Sequence, residues 1–105
     1  QRAMGAALLA EPVPARQAEA WGMIWEAVPD DRFAATVSAR AGQLAQGPTG
    51  AYAALKQALR GAFEQSLDAQ LALEARLQGI CGASGDFREG VAAFTEKRAP
   101  KFSGT

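Results

Sequence analysis

The chain has 105 residues, 49% of them apolar, and its eleven acidic and eleven basic residues leave no net charge. That balance fits one small globular domain, excludes a disordered chain, and removes the broad electrostatic case for nucleic acid or an anionic membrane. Much of the apolar content is alanine, which buries little area per residue, so the core is expected to be thin and to need a partner surface.

The N-terminal stretch from Arg2 to Leu9 reads as the tail of a helix that ends before Pro12 and Pro14. Pro14 opens a short second helix, with Ala18 and Trp21 inward and Gly22 at the stop position. Met23 to Val28 is too short and too apolar for a free helix, and its β-branched Ile24 and Val28 predict a short extended segment. Asp30 and Asp31 put negative charge at the start of a third helix, in which Phe33, Val37, Ala41 and Leu44 recur at helical spacing until Gly47-Pro48. A fourth helix carries Tyr52, Leu55, Leu59, Ala62 and Phe63 as its stripe, with Lys56 and Arg60 on a solvated face. Ser66 is placed to cap a fifth, running to about Cys81 with two apolar stripes, Leu67-Leu71-Ala75 and Leu73-Leu77-Ile80. A helix with two apolar faces packs on two layers, and in a domain this small the second layer is expected to be another subunit.

After a hinge at Ala83-Ser84-Gly85, the terminal helix is predicted with Asp86 as its cap and Glu89 reaching back as in a capping box. Phe87, Val91 and Phe94 then share one face, Gly90 admits a close backbone, Lys97 and Arg98 fall in the last turn, and Pro100 ends the helix. The architecture is therefore all-α, with five to six helices, short loops and one short extended segment near Ile24.

Candidate chemistry is sparse. With no histidine and with Cys81 as the lone cysteine, there is no zinc site, no Cys-His pair and no internal disulfide, and a reduced cytoplasmic setting is expected. Cys81 sits on an apolar stripe and reads as an inert core residue. Glu64, Asp68 and Glu74 lie on helix surfaces and read as solvated. Gly79, Gly82 and Gly85 follow no strand and do not form a phosphate loop. Trp21 and Trp25 flank a turn and read as packing anchors. No signal peptide is visible, and no apolar run approaches the ~20 residues of a membrane span.

Several pieces in order carry a family resemblance: Met4-Gly5, the turn at Glu11 to Pro14, Ala18-Glu19-Ala20-Trp21-Gly22-Met23-Ile24, Pro48-Thr49 with Ala54-Leu55-Lys56-Gln57-Ala58-Leu59, and Ser84 to Phe102. Together they resemble the C-terminal half of the crotonase superfamily, the enoyl-CoA hydratases and isomerases, over essentially the whole chain. Trp21 to Glu26, Ser66-Leu67-Asp68 through Glu74, and the ending Lys97-Arg98-Ala99-Pro100-Lys101-Phe102 are most similar to its ring-epoxide isomerase branch, which acts on 1,2-epoxyphenylacetyl-CoA. Generic enoyl-CoA hydratases of fatty-acid β-oxidation share most of these positions.

The resemblance implies an acyl-CoA thioester substrate, no further cofactor, and a trimer or dimer of trimers. It also implies that backbone N–H groups for the enolate oxygen, and a carboxylate for proton movement, come from a preceding β/α spiral core. Nothing in this chain matches that carboxylate, so no catalytic residue is assigned and the chain alone is expected to be inactive. Residues 1–28 are expected to be the tail of the core-adjacent region and 29–105 a helical assembly region. Because the chain starts at Gln1 inside a helical turn, it is expected to be a fragment. Two residues carry over as CoA or acyl contacts: Lys97, a point charge for phosphate, and Phe94, a wall for an apolar channel. From the residues alone, Phe94 reads as a core anchor ahead of a ligand contact, and Lys97 equally as a helix-terminal charge. A different class of reading is a stand-alone helical oligomerisation module without catalysis. A nucleic-acid-binding domain is disfavoured by the neutral charge.

Overall fold

Local chemistry sets the helix ends in the computed structural model, which describes residues 1–105 and contains six helices and no strand. Helix α1 (Arg2–Leu9) closes at Ala10, whose left-handed backbone, φ 52°, turns its N–H onto the Ala6 carbonyl. Pro14 then precedes α2 (Ala15–Ala20), and Gly22, at φ 75°, takes the chain away from it. Helix α3 (Asp30–Ala45) begins on its two aspartates and stops before Gly47-Pro48. Helix α4 (Thr49–Gly61) follows Pro48 directly. Ser66 caps α5 (Leu67–Gly82) by accepting the Ala69 N–H at 3.3 Å, as its position predicts. Helix α6 (Gly85–Glu96) is the last.

The chain divides into two compact units, Gln1–Ser38 and Ala39–Thr105. In the first, Ala18 of α2 is buried, and Trp21 is half-buried beside a cavity of about 220 Å³ that Leu9, Val13 and Pro14 also line. The extended segment expected at Met23–Val28 forms no strand: residues 23–25 bend and 26–29 are irregular. The Ala27 N–H bonds to Glu19 Oε1 at 3.1 Å, so this backbone is satisfied by a side chain rather than by a ladder. Trp25, expected as a packing anchor, is exposed.

In the second unit α4 packs on α5, and α5 on α6. The seam between α4 and α5 is not the stripe of large residues that helical spacing suggests. Leu55, Leu59 and Phe63 are exposed, whereas Ala51, Ala54, Ala58 and Ala62 are half-buried. Small side chains let Gln70 of α5 reach across, donating from Nε2 to the Ala58 carbonyl at 3.3 Å and to Glu74 Oε1 at 2.6 Å. From α5, Leu77 is buried and Leu73 half-buried, while Ile80 of the same stripe and Leu67 and Leu71 of the other are exposed. On α6 the buried positions are Asp86 and Ala93, not Phe87, Val91 and Phe94, which are exposed. The core is as thin as the alanine content predicts: Ala18, Leu77 and Ala93 are its buried apolar members.

Candidate functional site

The N-terminus of α6 is built differently from its sequence pattern. Ser84, not Asp86, is the cap, accepting the Phe87 N–H at 3.0 Å. Asp86 lies inside the first turn, 6% exposed, and turns toward the chain's end. Its Oδ1 accepts the Ser103 N–H at 2.7 Å and the Ser103 hydroxyl at 3.3 Å, and its Oδ2 accepts the Gly104 N–H at 2.9 Å. Its own N–H donates to the Thr105 carbonyl at 2.9 Å.

Glu89 does not close a capping box either. It accepts a two-pronged bond from Arg98, Nη1 to Oε1 at 2.6 Å and Nη2 to Oε2 at 2.9 Å, and the Lys101 N–H at 2.7 Å. Arg98 also bonds Glu96 at 2.6 Å. The Arg98 guanidinium, and after it the Lys101 N–H, hold the Glu89 carboxyl down from 4.5 to about 2. Glu89, and after it Glu96, raise Arg98 above its ordinary range.

A carboxyl lowered in the folded state contributes stability that is complete above its unfolded value and is lost as pH falls through the folded one. The window is therefore about 4.5 down to about 2. In a carboxyl-carbon NMR titration Glu89 should have its midpoint near 2, and Arg98→Ala should return it toward 4.5. A wild-type midpoint near 4.5 would sink this account of the clamp.

Helix α6 ends at Glu96, so Lys97 is not in the last turn but is its left-handed C-cap, φ 53°. Arg98 lies beyond the helix, with its N–H on the Ala93 carbonyl at 3.0 Å. The Lys97 side chain is exposed and takes part in neither ion pair of this terminus. Phe94, one turn earlier, is 87% exposed and lines an open apolar groove of about 540 Å³. Phe87, Val91 and Ile80 are also in its wall, and Phe102 of the tail forms the other side. Thus Phe94 belongs to a groove rather than to the buried core. Cys81 is half-buried, a free thiol between this groove and the α4–α5 seam. No His, Cys, Asp and Glu side chains gather to hold a metal ion, and no helix is long and apolar enough to cross a membrane.

The tail-holding roles of Asp86, which lines the groove, and of Glu89, which does not, were the part that sequence reasoning missed. Asp86 and Glu89 are one turn apart, and their partners lie nine to eighteen residues away in sequence. The only signal was the polar run Ser103-Gly104-Thr105 after an apolar Phe102.

Comparison with known proteins gives this arrangement a family. Residues 1–105 match the enoyl-CoA hydratase/isomerase family model. A probable enoyl-CoA hydratase of Rhodobacter capsulatus is 57% identical over 103 residues, covering 98% of this chain and 40% of that protein. The 1,2-epoxyphenylacetyl-CoA isomerase of Escherichia coli is 48% identical over 103 residues, covering 98% of this chain and 39% of that protein. Among solved structures, an enoyl-CoA hydratase subunit of Geobacillus kaustophilus superposes with a TM-score of 0.91 at 31% identity, covering 99% of this chain and 40% of that one. The chain therefore spans about two fifths of the length of the relatives it matches. With its whole length matched and its helices superposing on solved crotonase-fold members, the chain belongs to the enoyl-CoA hydratase/isomerase family.

Proposed function

We propose that this chain is the helical part of an acyl-CoA isomerase or hydratase, most like 1,2-epoxyphenylacetyl-CoA isomerase, where it supports oligomerisation and helps close the CoA pocket. The observation that carries the reading is the outward Phe94 on an apolar groove, with the free-standing charge of Lys97 just beyond it at the end of the same helix. An aromatic wall suits an acyl chain, and an ammonium suits a nucleotide phosphate. Asp86 and Glu89 are both occupied in holding the tail, which supports placing the proton-moving carboxylate and the enolate-stabilising N–H groups outside this chain. In this reading residues 1–28 adjoin a catalytic core and 29–105 serve assembly around a three-fold axis.

The test is to express the whole reading frame that encodes this chain and assay it with 1,2-epoxyphenylacetyl-CoA and a straight-chain 2-enoyl-CoA. Consumption of the epoxide supports the isomerase. Hydration of the enoyl-CoA alone supports a generic β-oxidation hydratase; the Rhodobacter relative's name favours an enoyl-CoA hydratase. Activity on neither leaves a helical oligomerisation module.

In the active protein Lys97→Ala should raise KM for the CoA thioester about fivefold with kcat unchanged, the size expected for one exposed ion pair. The same variant should leave an N-acetylcysteamine thioester, which has no phosphate, unaffected. An equal loss on both thioesters would remove Lys97 from phosphate binding.

A further inference from the structure

The tail after α6 has no regular secondary structure, yet it is fastened at both ends of a short span. Glu89 holds Arg98 and the Lys101 N–H, and Asp86 holds Ser103 and the Gly104 N–H. Between these anchors stands one residue, Phe102, whose ring borders α6 so closely that a Cβ on Gly90 would meet its Cε1 at 3.8 Å. Gly104 is at φ 80°, and a Cβ there would come within 2.6 Å of Thr49 Oγ1 on α4, so the tail's end is fitted against a second helix.

We propose that residues 98–105 act as one strap, latched cooperatively by Asp86 and Glu89, which carries Phe102 onto the apolar groove and lifts as a unit while α6 stays helical.

Cooperativity follows from the geometry. The two carboxylates are fixed relative to each other by one turn of helix, and their backbone partners Lys101 and Ser103 are two residues apart. Making either anchor removes most of the freedom that the other must lose, so the second closes at high effective concentration. Pro100, inside the strap, narrows that freedom further. Coupling of this kind is reciprocal: each anchor strengthens the other by the same factor. Helix α6 has independent ends, the Ser84 cap and the Lys97 N–H on the Phe94 carbonyl, so it does not need the strap. The groove does: Phe102, Gly104 and Thr105 form one of its walls.

The experiment is residue-resolved amide exchange on the full chain and three variants. Asp86→Asn should accelerate exchange at Lys101, an amide it does not touch, about fivefold or more, the lower end for coupled sites. Glu89→Gln should accelerate Ser103 and Gly104 by the same factor. Gly104→Ala, which alters neither carboxylate, should accelerate all three. Amides of Leu77 in α5 and Ala93 in α6 should keep wild-type rates. Two results would overturn the proposal: each variant freeing only its own partners, or Ala93 losing protection together with the tail. If Asp86→Asn loses Leu77 protection and so fails to fold, Glu89→Gln, at a less buried carboxylate, and Gly104→Ala decide by the same criteria.

Discussion

Leu77→Ala should cost about 2 kcal/mol or more, at the lower end of the range for buried leucines, and the urea midpoint of the helical signal should fall accordingly. Leu77 is 7% exposed and is the one large apolar side chain buried in the second unit. It lines a groove together with Tyr52, Leu55 and Ala58 of α4. Since that region opens to solvent, the site can relax, which puts the loss at the low end. Against a total of about 5 kcal/mol, the lower limit for a small domain, even that loss is large. Leu71→Ala is the control: it lies on the same helix but is 54% exposed, and its effect should stay within about 0.5 kcal/mol. Both are measured at one protein concentration, because any association adds apparent stability. Equal effects from the two would mean that the α4–α5 seam does not hold the unit together.

The contrast between those two leucines explains which parts of the fold were legible. Where one or two residues act locally, the reading holds: Ser66 caps α5, the aspartates open α3, and Gly47-Pro48 separates α3 from α4. Which face of a helix turns inward is not local. Helical spacing placed Leu55 and Leu59 inward on α4, yet the seam is an alanine stripe, because the carbonyl of Ala58 has to come within reach of Gln70. In a chain rich in alanine, that stripe has no contrast with its surroundings.

The site was divided in the same way. Phe94 and Lys97 were visible as an aromatic and a charge near the end of a helix, and the structure puts one on a groove and the other at a cap. The left-handed Lys97 was not visible, since glycine is the usual occupant of that position. The roles of Asp86 and Glu89 were hidden for another reason. Their i, i+3 spacing after a serine imitates a capping box, whereas their partners are chosen by the path of the tail.

At tens of micromolar, within the range of ordinary protein associations, light scattering should find the chain in assemblies larger than a monomer. On α3, Phe33, Val37 and Leu44 are exposed at helical spacing; on α4, Leu55, Leu59 and Phe63; on α5, Leu67 and Leu71. Single exposed apolar residues are ordinary, but stripes of them along successive helices are the mark of a covered surface. Full burial of an exposed side chain of this kind contributes about 1.5–3 kcal/mol, and because most of these are already partly covered, six of them yield roughly 6–12 kcal/mol. Association costs about 4–15 kcal/mol in lost rigid-body freedom, the same size as the gain from two covered stripes. Replacing Leu59 and Phe63 by lysine should shift the mass toward monomer while leaving the helical signal unchanged, since neither side chain is buried in the unit. A wild-type monomer at that concentration would show that these stripes do not find each other in this chain. A trimeric mass that the double variant abolishes would tie the α4 stripe to a three-fold assembly.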